Sequence, residues 1–176
     1  MSSRTSPPTM MMAVRTISRY HALSVLFAAI TTIILVRHAE KAGPSGDVPL
    51  NAAGVARANE LARVLGTADI AAIYTTPFVR VRQTAQPLAN ALHLTPIEVK
   101  TGDTYARDVV KRIMRDHKGQ TVVVIGHSNT TVDVLRQLRI ANPPTIKDSQ
   151  YDDLFVCTIG GAKPKLLTLR YGSPAR

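Results

Sequence analysis

Two short runs of β-branched apolar residues constrain the fold of this chain more than any other feature. They are TTIILV at residues 31–36 and TVVVI at residues 121–125. Neither run alternates apolar with polar residues, so neither strand is expected to have one face in water. A strand that is buried on both faces belongs to a parallel sheet covered by helices. The sequence therefore predicts an α/β fold.

The rest of the chain supplies the helices and further strands that such a sheet requires. Helices are predicted at residues 51–65 with Gly66 as the stop, at 78–92, at 129–138, and up to His117 from a cap at Asp103 or Thr104. Strands are predicted at 70–74, at 96–100, and at 154–159 and 165–170 on either side of Gly160 and Gly161. The predicted architecture is a three-layer α/β/α sandwich around a mainly parallel sheet, with a C-terminal β-hairpin.

Composition limits the classes of partner. The chain has 22 Lys and Arg against 12 Asp and Glu, a formal charge of +10, which attracts anions. Because the basic residues are scattered, aromatic residues make up only 5%, and no nucleic-acid motif occurs, nucleic acid is not a predicted partner. The single cysteine, Cys157, excludes an internal disulfide and any multi-cysteine metal site. Its apolar neighbours predict a core residue.

The N-terminal segment differs from the rest of the chain. Residues 1–12 are rich in Ser, Pro and Thr and are predicted to be disordered. Arg15, Arg19 and His21 then precede an apolar run at 22–30, the pattern of an export signal or membrane anchor, although the cleavage site is poor because Phe27 stands where a small residue is wanted. The alternative is an upstream extension of a cytoplasmic enzyme. Localisation and membrane association through 13–30 therefore stay open, and one domain is predicted at 30–176.

Charged and imidazole side chains follow three of the predicted strands. Arg37 and His38 come directly after the first strand, Arg80 lies one turn into the helix after the second, and His127 follows the strand at 121–125. Because the carboxyl ends of parallel strands meet at one edge of a sheet, these four side chains are expected to lie together.

Such a cluster suits phosphoryl transfer. An arginine guanidinium matches the charged oxygens of a phosphoryl group, and a neutral histidine nitrogen attacks phosphorus and later leaves again. The helix that begins near Asn129 adds its backbone amides to the same anion site. With these donors around the phosphate, no metal and no cofactor are predicted.

At this point the sequence resembles a known family. LVRHAEK at 35–41, LNAAGVARANELA at 50–62, YTTPFVRVRQTAQPLA at 74–89 and VVVIGHSN at 122–129 are similar, in order and spacing, to signature segments of the histidine phosphatase (phosphoglycerate mutase-like) superfamily. The likeness extends over roughly residues 31–170 and is strongest to the compact phosphohistidine phosphatase branch. One departure is Ala39, where the family usually has glycine.

The resemblance implies roles for the clustered residues. His38 is the nucleophile that forms a phosphohistidine intermediate, and Arg37, Arg80 and His127 form the phosphate pocket. Arg82, the next arginine of the same helix, is expected to be peripheral. No metal belongs to this implied mechanism.

The proton donor is the least determined residue. Many family members carry a Glu after the third strand, but here that segment is only VKTGDTYARD. Asp103 is the best-placed carboxylate for a general acid, with Glu98 and Glu40 as rivals, while its alternative role is the helix cap. Asn129 and Glu40 are candidate substrate-binding residues, and the acidic stretch YDDLF at 151–155 is a candidate substrate rim.

The predicted function is a metal-independent phosphatase that acts on phosphohistidine protein or on a small phosphomonoester. A phosphorylated small molecule or phosphoprotein is therefore the expected partner. Two alternatives stay open: a mutase-like phosphotransferase, disfavoured because the chain lacks the long insertions that form a lid, and a non-catalytic phosphate-binding regulator on the same fold. The oligomeric state is not determined by the sequence.

Overall fold

The computed structural model describes residues 29–174. The predicted disordered start, and all of the predicted signal or anchor segment except Ala29 and Ile30, lie outside the described residues. Within residues 29–174, no helix combines the length and the apolar character that crossing a membrane requires.

The described chain contains six strands and four helices. The strands are β1 (Thr31–Arg37), β2 (Ile70–Thr75), β3 (Ile97–Glu98), β4 (Thr121–Gly126), β5 (Asp153–Ile159) and β6 (Lys165–Arg170). The helices are α1 (Ala52–Leu65), α2 (Val79–Leu92), α3 (Tyr105–Asp116) and α4 (Ser128–Gln137). The six strands form one sheet in the order β3-β2-β4-β1-β5-β6. The first four in this order are parallel to one another, and β5 and β6 form the antiparallel hairpin, which confirms the predicted fold class.

The sheet separates two hydrophobic cores. In β1, Ile33 and Leu35 belong to the core that also contains residues of α3 and α4, whereas Ile34 and Val36 belong to the core built with α1 and α2. Both faces of the strand are therefore buried, which explains why its sequence does not alternate. Cys157 in β5 is fully buried in the first core, as predicted, and burial raises the pKa of its thiol to about 11.

The elements depart from the predicted ones mainly around the start of α3. Strand β3 is shorter than predicted: it has two residues and pairs with β2 at the edge of the sheet. Of the two predicted caps, Asp103 and Thr104, it is Thr104 that holds the N-cap position, and its hydroxyl donates to the Asp108 carboxylate at 2.6 Å. Helix α4 begins at Ser128, one residue early, because the Thr130 hydroxyl accepts a hydrogen bond from the backbone N–H of His127 at 2.8 Å.

Candidate active site

The carboxyl ends of β1, β2 and β4 open into one cavity of about 580 Å³. The four residues predicted to meet there all line it: Arg37, His38, Arg80 and His127. The imidazole rings of His38 and His127 are 5.4 Å apart between centroids and stand edge to face. The topology of the sheet therefore brings the predicted cluster together, at the edge where ligands bind in parallel α/β folds.

His38 is buried at the base of the cavity, with only 3% of its surface exposed. Its Nδ1 lies 2.7 Å from the carbonyl oxygen of Ala39. Because a carbonyl oxygen only accepts, Nδ1 carries the proton, and in the neutral ring the lone pair is then on Nε2. Burial lowers the pKa of His38 to about 3, and the positive charge of Arg37 contributes in the same direction. His38 is thus a neutral imidazole with a free Nε2 at neutral pH.

Arg37 is held in place by the loop before β5. Its Nη1 donates to the carbonyl oxygens of Lys147 and Asp148 at 2.8 and 2.9 Å, and its guanidinium carbon stacks 4.2 Å from the ring centroid of Tyr151. Its Nε–H is buried and has no partner among the described residues. A buried donor without an acceptor costs free energy, so this N–H is suited to an incoming anion.

Arg80 enters the cavity from the first turn of α2. Its Nη1 donates to the carbonyl of Gly46 at 3.2 Å and lies 3.7 Å from the Asp47 carboxylate, and its guanidinium stacks on Phe78 at 4.6 Å. Like Arg37, it has a buried Nε–H without a partner in the described chain. Two arginines therefore each present one spare donor within the same site.

His127 occupies the N-cap of α4, where its ring faces the amide end of the helix. Its Nε2 is 3.1 Å from the Thr76 hydroxyl, and its Nδ1 is 3.4 Å from Nη2 of Arg80. Because an arginine nitrogen only donates, Nδ1 accepts and Nε2 carries the proton. Burial lowers the pKa of His127 to about 4, with Arg80 as the next contribution, so this ring is also neutral near pH 7.

The carboxylate candidates fall in different places. Asp103 is exposed on the cavity wall formed by the segment before α3, and Asn129 lines the opposite wall with the start of α4. Glu98 lies outside the cavity, 3.6 Å from Arg82, which is itself peripheral as expected and donates to the carbonyl of Pro77. Of the three rival acids, only Asp103 shares the cavity with His38.

Glu40, the remaining candidate acid and a candidate substrate ligand, does not line the cavity that contains His38. Its carboxylate is held by Arg57, whose Nε and Nη2 donate to it at 3.0 and 2.7 Å. The pair faces a separate cavity of about 760 Å³ beneath the C-terminal residues 172–174. Arg57 is positioned 17 residues along the chain from Glu40, so the local sequence around Glu40 gave no sign of the pair.

The acidic stretch at 151–155 is not a substrate rim either. Asp152 and Asp153 are buried, and both lie against Arg170 of the neighbouring strand, at 2.8 and 3.1 Å. Tyr151 is the member of the stretch that reaches the site, through its contact with Arg37 and a centroid distance of 6.0 Å to His38.

Two contributors were missed from the sequence. Arg57 lies on the buried face of α1 together with Gly54, Ala58 and Leu61, and an arginine in the register of an apolar face is the signal that would have indicated a buried ion pair. Thr84 of α2 accepts a hydrogen bond from the backbone N–H of Ala39 at 3.0 Å, and no sequence signal distinguishes it from a core threonine. Among residues 29–174, no three His, Cys, Asp or Glu side chains cluster as a metal site.

Comparison with known proteins gives a family match for part of the chain. Residues 33–102 match the sequence pattern of the histidine phosphatase superfamily, branch 1. That region contains Arg37, His38, Arg80 and Asp103 but not His127. A comparison with curated protein sequences gave no match.

Solved structures show the same fold. The mycobacterial glucosyl-3-phosphoglycerate phosphatase has a TM-score of 0.65 at 14% identity, covering 81% of this chain and 100% of that one. The protein histidine phosphatase SixA, complexed with tungstate, has a TM-score of 0.63 at 16% identity, covering 79% of this chain and 96% of that one. YhfR of Bacillus stearothermophilus has a TM-score of 0.65 at 19% identity, covering 81% and 98%.

Proposed function

We propose that the chain is a member of the histidine phosphatase superfamily and that it is a metal-independent phosphatase acting through a phosphohistidine at Nε2 of His38. The observation that carries this proposal is that a neutral histidine ring lies in the same cavity as two arginine N–H groups without acceptors. Nε2 of His38 has a free lone pair, and the two arginines of the same cavity, Arg37 and Arg80, each have a buried Nε–H without an acceptor in the described chain.

In the first step, the Nε2 lone pair attacks phosphorus and the bond to the leaving oxygen breaks as the P–N bond forms. Arg37, Arg80 and His127 stabilise the negative charge that spreads over the phosphoryl oxygens. The leaving oxygen takes a proton from the Asp103 carboxyl group, which is left as a carboxylate. In the second step, water attacks phosphorus and gives up a proton to that carboxylate, and the P–N bonding electrons return to Nε2. Inorganic phosphate and the original imidazole result.

Asp103 is the proposed general acid. It is the carboxylate candidate that lines the same cavity as His38, and Thr104, not Asp103, occupies the N-cap of α3. An alkyl phosphate needs a proton on its leaving oxygen, whereas phosphohistidine releases imidazole readily. Asp103 therefore matters for phosphomonoesters and much less for a phosphohistidine substrate.

A phosphorylated protein or a small phosphomonoester is the proposed substrate. Residues 101–103 and Asn129 line the cavity and are exposed, so a group larger than phosphate has room to extend outward past them. Solved structures of the same fold include both classes, since SixA is a protein histidine phosphatase and the mycobacterial enzyme is a glucosyl-3-phosphoglycerate phosphatase.

The test is a substrate panel of aryl phosphates, sugar phosphates and phosphohistidine peptides, assayed with and without a chelator. Wild type is expected to hydrolyse at least one class with the chelator present. His38→Asn removes the nucleophile and is expected to abolish turnover, while His93→Asn, at an exposed histidine of the same chain, leaves it unchanged. Turnover that survives in His38→Asn, or that requires a divalent ion, would overturn the proposal.

A further inference from the structure

Glu40 contacts three positions of α1 and its N-cap, which are Asn51, Gly54 and Arg57. The backbone N–H of Asn51 donates to the Glu40 carbonyl at 3.0 Å. A Cβ on Gly54 would lie only 2.1 Å from that same oxygen, so the helix packs against the Glu40 backbone at a distance that only glycine allows. Arg57 holds the Glu40 carboxylate through Nε and Nη2. Helix α1 thus fixes both the backbone and the side chain of Glu40.

Arg57 is itself fully engaged. It is 5% exposed, and besides Glu40 it donates to the carbonyl oxygens of Tyr171 at 2.8 Å and Ser173 at 2.9 Å. Each of its three nitrogens has an acceptor, which fixes the guanidinium in one orientation. The C-terminal segment therefore holds Arg57 in place from the side opposite Glu40.

The peptide group between Ala39 and Glu40 links this arrangement to the nucleophile. Its carbonyl oxygen belongs to Ala39 and accepts the Nδ1–H of His38 at 2.7 Å. The peptide groups on either side of it are also held: the Ala39 N–H, which belongs to the preceding peptide, donates to Thr84, and the Glu40 carbonyl, which belongs to the following peptide, accepts from Asn51. Because both neighbouring peptides are fixed, the planar peptide between Ala39 and Glu40 keeps its carbonyl directed at His38, and this direction selects the tautomer and the tilt of the ring.

From this chain of contacts we propose that Arg57 and Glu40 are positioning residues that keep the proton of His38 on Nδ1 and its lone pair on Nε2, toward the phosphate. The proposal rests on the proposed function, in which Nε2 is the nucleophile. Neither residue touches the substrate, since neither lines the cavity that contains His38. Their effect is on the chemical step, not on phosphate binding.

A structural clamp without this effect makes a different prediction. Breaking such a clamp would lower the melting temperature, but the variant that still folds would keep the ring tautomer and the catalytic rate. Positioning requires that the tautomer and kcat change together while KM and the affinity for inorganic phosphate stay constant.

The experiment compares wild type with Glu40→Gln and Arg57→Lys. Glu40→Gln removes the charge but keeps the size, and Arg57→Lys keeps the charge but loses the two-pronged donor. Glu60→Gln is the matched control, because Glu60 lies on the same helix, borders the same second cavity, and pairs with Arg63 on the exposed surface. Ring-nitrogen NMR of His38 reports the tautomer without turnover, and kinetics with an aryl phosphate report kcat and KM.

We expect wild type and Glu60→Gln to show His38 protonated on Nδ1 alone. Both test variants are expected to show a mixture of tautomers and a kcat reduced about 10- to 100-fold, the effect of a small misplacement of a reacting group, with KM unchanged. If wild type hydrolyses no substrate but the variants alter the tautomer, the proposed function fails and the positioning stands. If folded Glu40→Gln and Arg57→Lys keep the wild-type NMR pattern, the positioning proposal is overturned.

Discussion

On the cavity side of His38, Arg37 and Arg80 each keep a buried N–H without an acceptor in the described chain, whereas on the α1 side every nitrogen of Arg57 is paired. Arg37 and Arg57 are each 5% exposed, so the difference between them lies in the hydrogen-bond acceptors that the surrounding residues provide and not in their burial. A spare buried donor costs roughly 1–3 kcal/mol, and a ligand that accepts from it recovers that free energy. Spare donors therefore mark where a substrate binds, and paired donors mark where the protein holds itself in place.

The cavity side is tested most strongly at Arg80. Arg80→Ala removes a donor aimed at the developing charge and is expected to lower kcat by about 100- to 1000-fold. Arg82→Ala is the matched control, because Arg82 lies on the same helix but outside the cavity, bonded to the carbonyl of Pro77. Steady-state kinetics with an aryl phosphate measure both. Equal losses at the two positions would show that Arg80 acts only through general charge.

The next largest effect is expected at Asp103, an exposed carboxylate of the cavity wall that is part of neither arginine arrangement. Asp103→Asn is expected to slow hydrolysis of alkyl phosphates about 100-fold, because a general acid is lost, and to leave phosphohistidine hydrolysis nearly unchanged. Asp133→Asn, at a second aspartate that lines the same cavity and pairs with Arg136, controls for charge. A uniform small loss on all substrates would remove Asp103 from the chemistry.

Gly54→Ala tests the packing of α1 against Glu40 and leaves the charged pair of Glu40 and Arg57 in place. The new methyl group would overlap the Glu40 carbonyl, so the variant is expected to lose about 1–3 kcal/mol of unfolding free energy, as overpacked sites do, and to lose activity with it. Gly43→Ala is the control, since its Cβ would meet Val48 at an ordinary 3.5 Å. Urea unfolding and steady-state kinetics measure the unfolding free energy and kcat of both variants. Equal values for Gly54→Ala and Gly43→Ala would contradict the account.

The smallest expected effect is the pH dependence of the unfolding free energy that the two histidines cause. In the folded chain the pKa of His38 is lowered to about 3 and that of His127 to about 4, whereas unfolded histidines titrate near 6.5. As pH falls below about 6.5 the unfolded chain binds more protons than the folded one, so the unfolding free energy decreases toward acid pH. Urea unfolding between pH 7.5 and 5.5 measures this slope. The double variant His38→Asn, His127→Asn should have a shallower slope, and an equal slope would mean that these rings are not neutral in the fold.

Much of the site could be predicted from the sequence because its residues follow strands directly. Arg37, His38 and His127 lie within one residue of the end of β1 or β4, and parallel strands bring such positions together whatever their separation along the chain. Glu40 follows β1 almost as closely, yet its side chain lies elsewhere, because a buried arginine from α1 attracts it away from the cavity. Its environment depends on helix packing, which local sequence does not specify.

The outcome at Asp103 has a similar cause. Aspartate just before a helix is a common cap, but here the next residue takes the cap position and its hydroxyl bonds within the helix to Asp108. A shift of one residue separates a capping aspartate from an aspartate on the cavity wall. Element boundaries are set by such single hydrogen bonds, so sequence patterns locate a helix better than they locate its first residue.

The central claim is that Nε2 of His38 carries the phosphoryl group, and the most direct test is to trap it. Wild type is mixed with a labelled phosphate substrate, quenched in alkali so that phosphohistidine survives, digested, and examined by mass spectrometry and NMR for the site and the ring nitrogen. The account predicts label on Nε2 of His38, because Nδ1 donates its proton to the carbonyl of Ala39. Label on Nδ1, label on another residue, or rapid turnover with no label on His38 would contradict it.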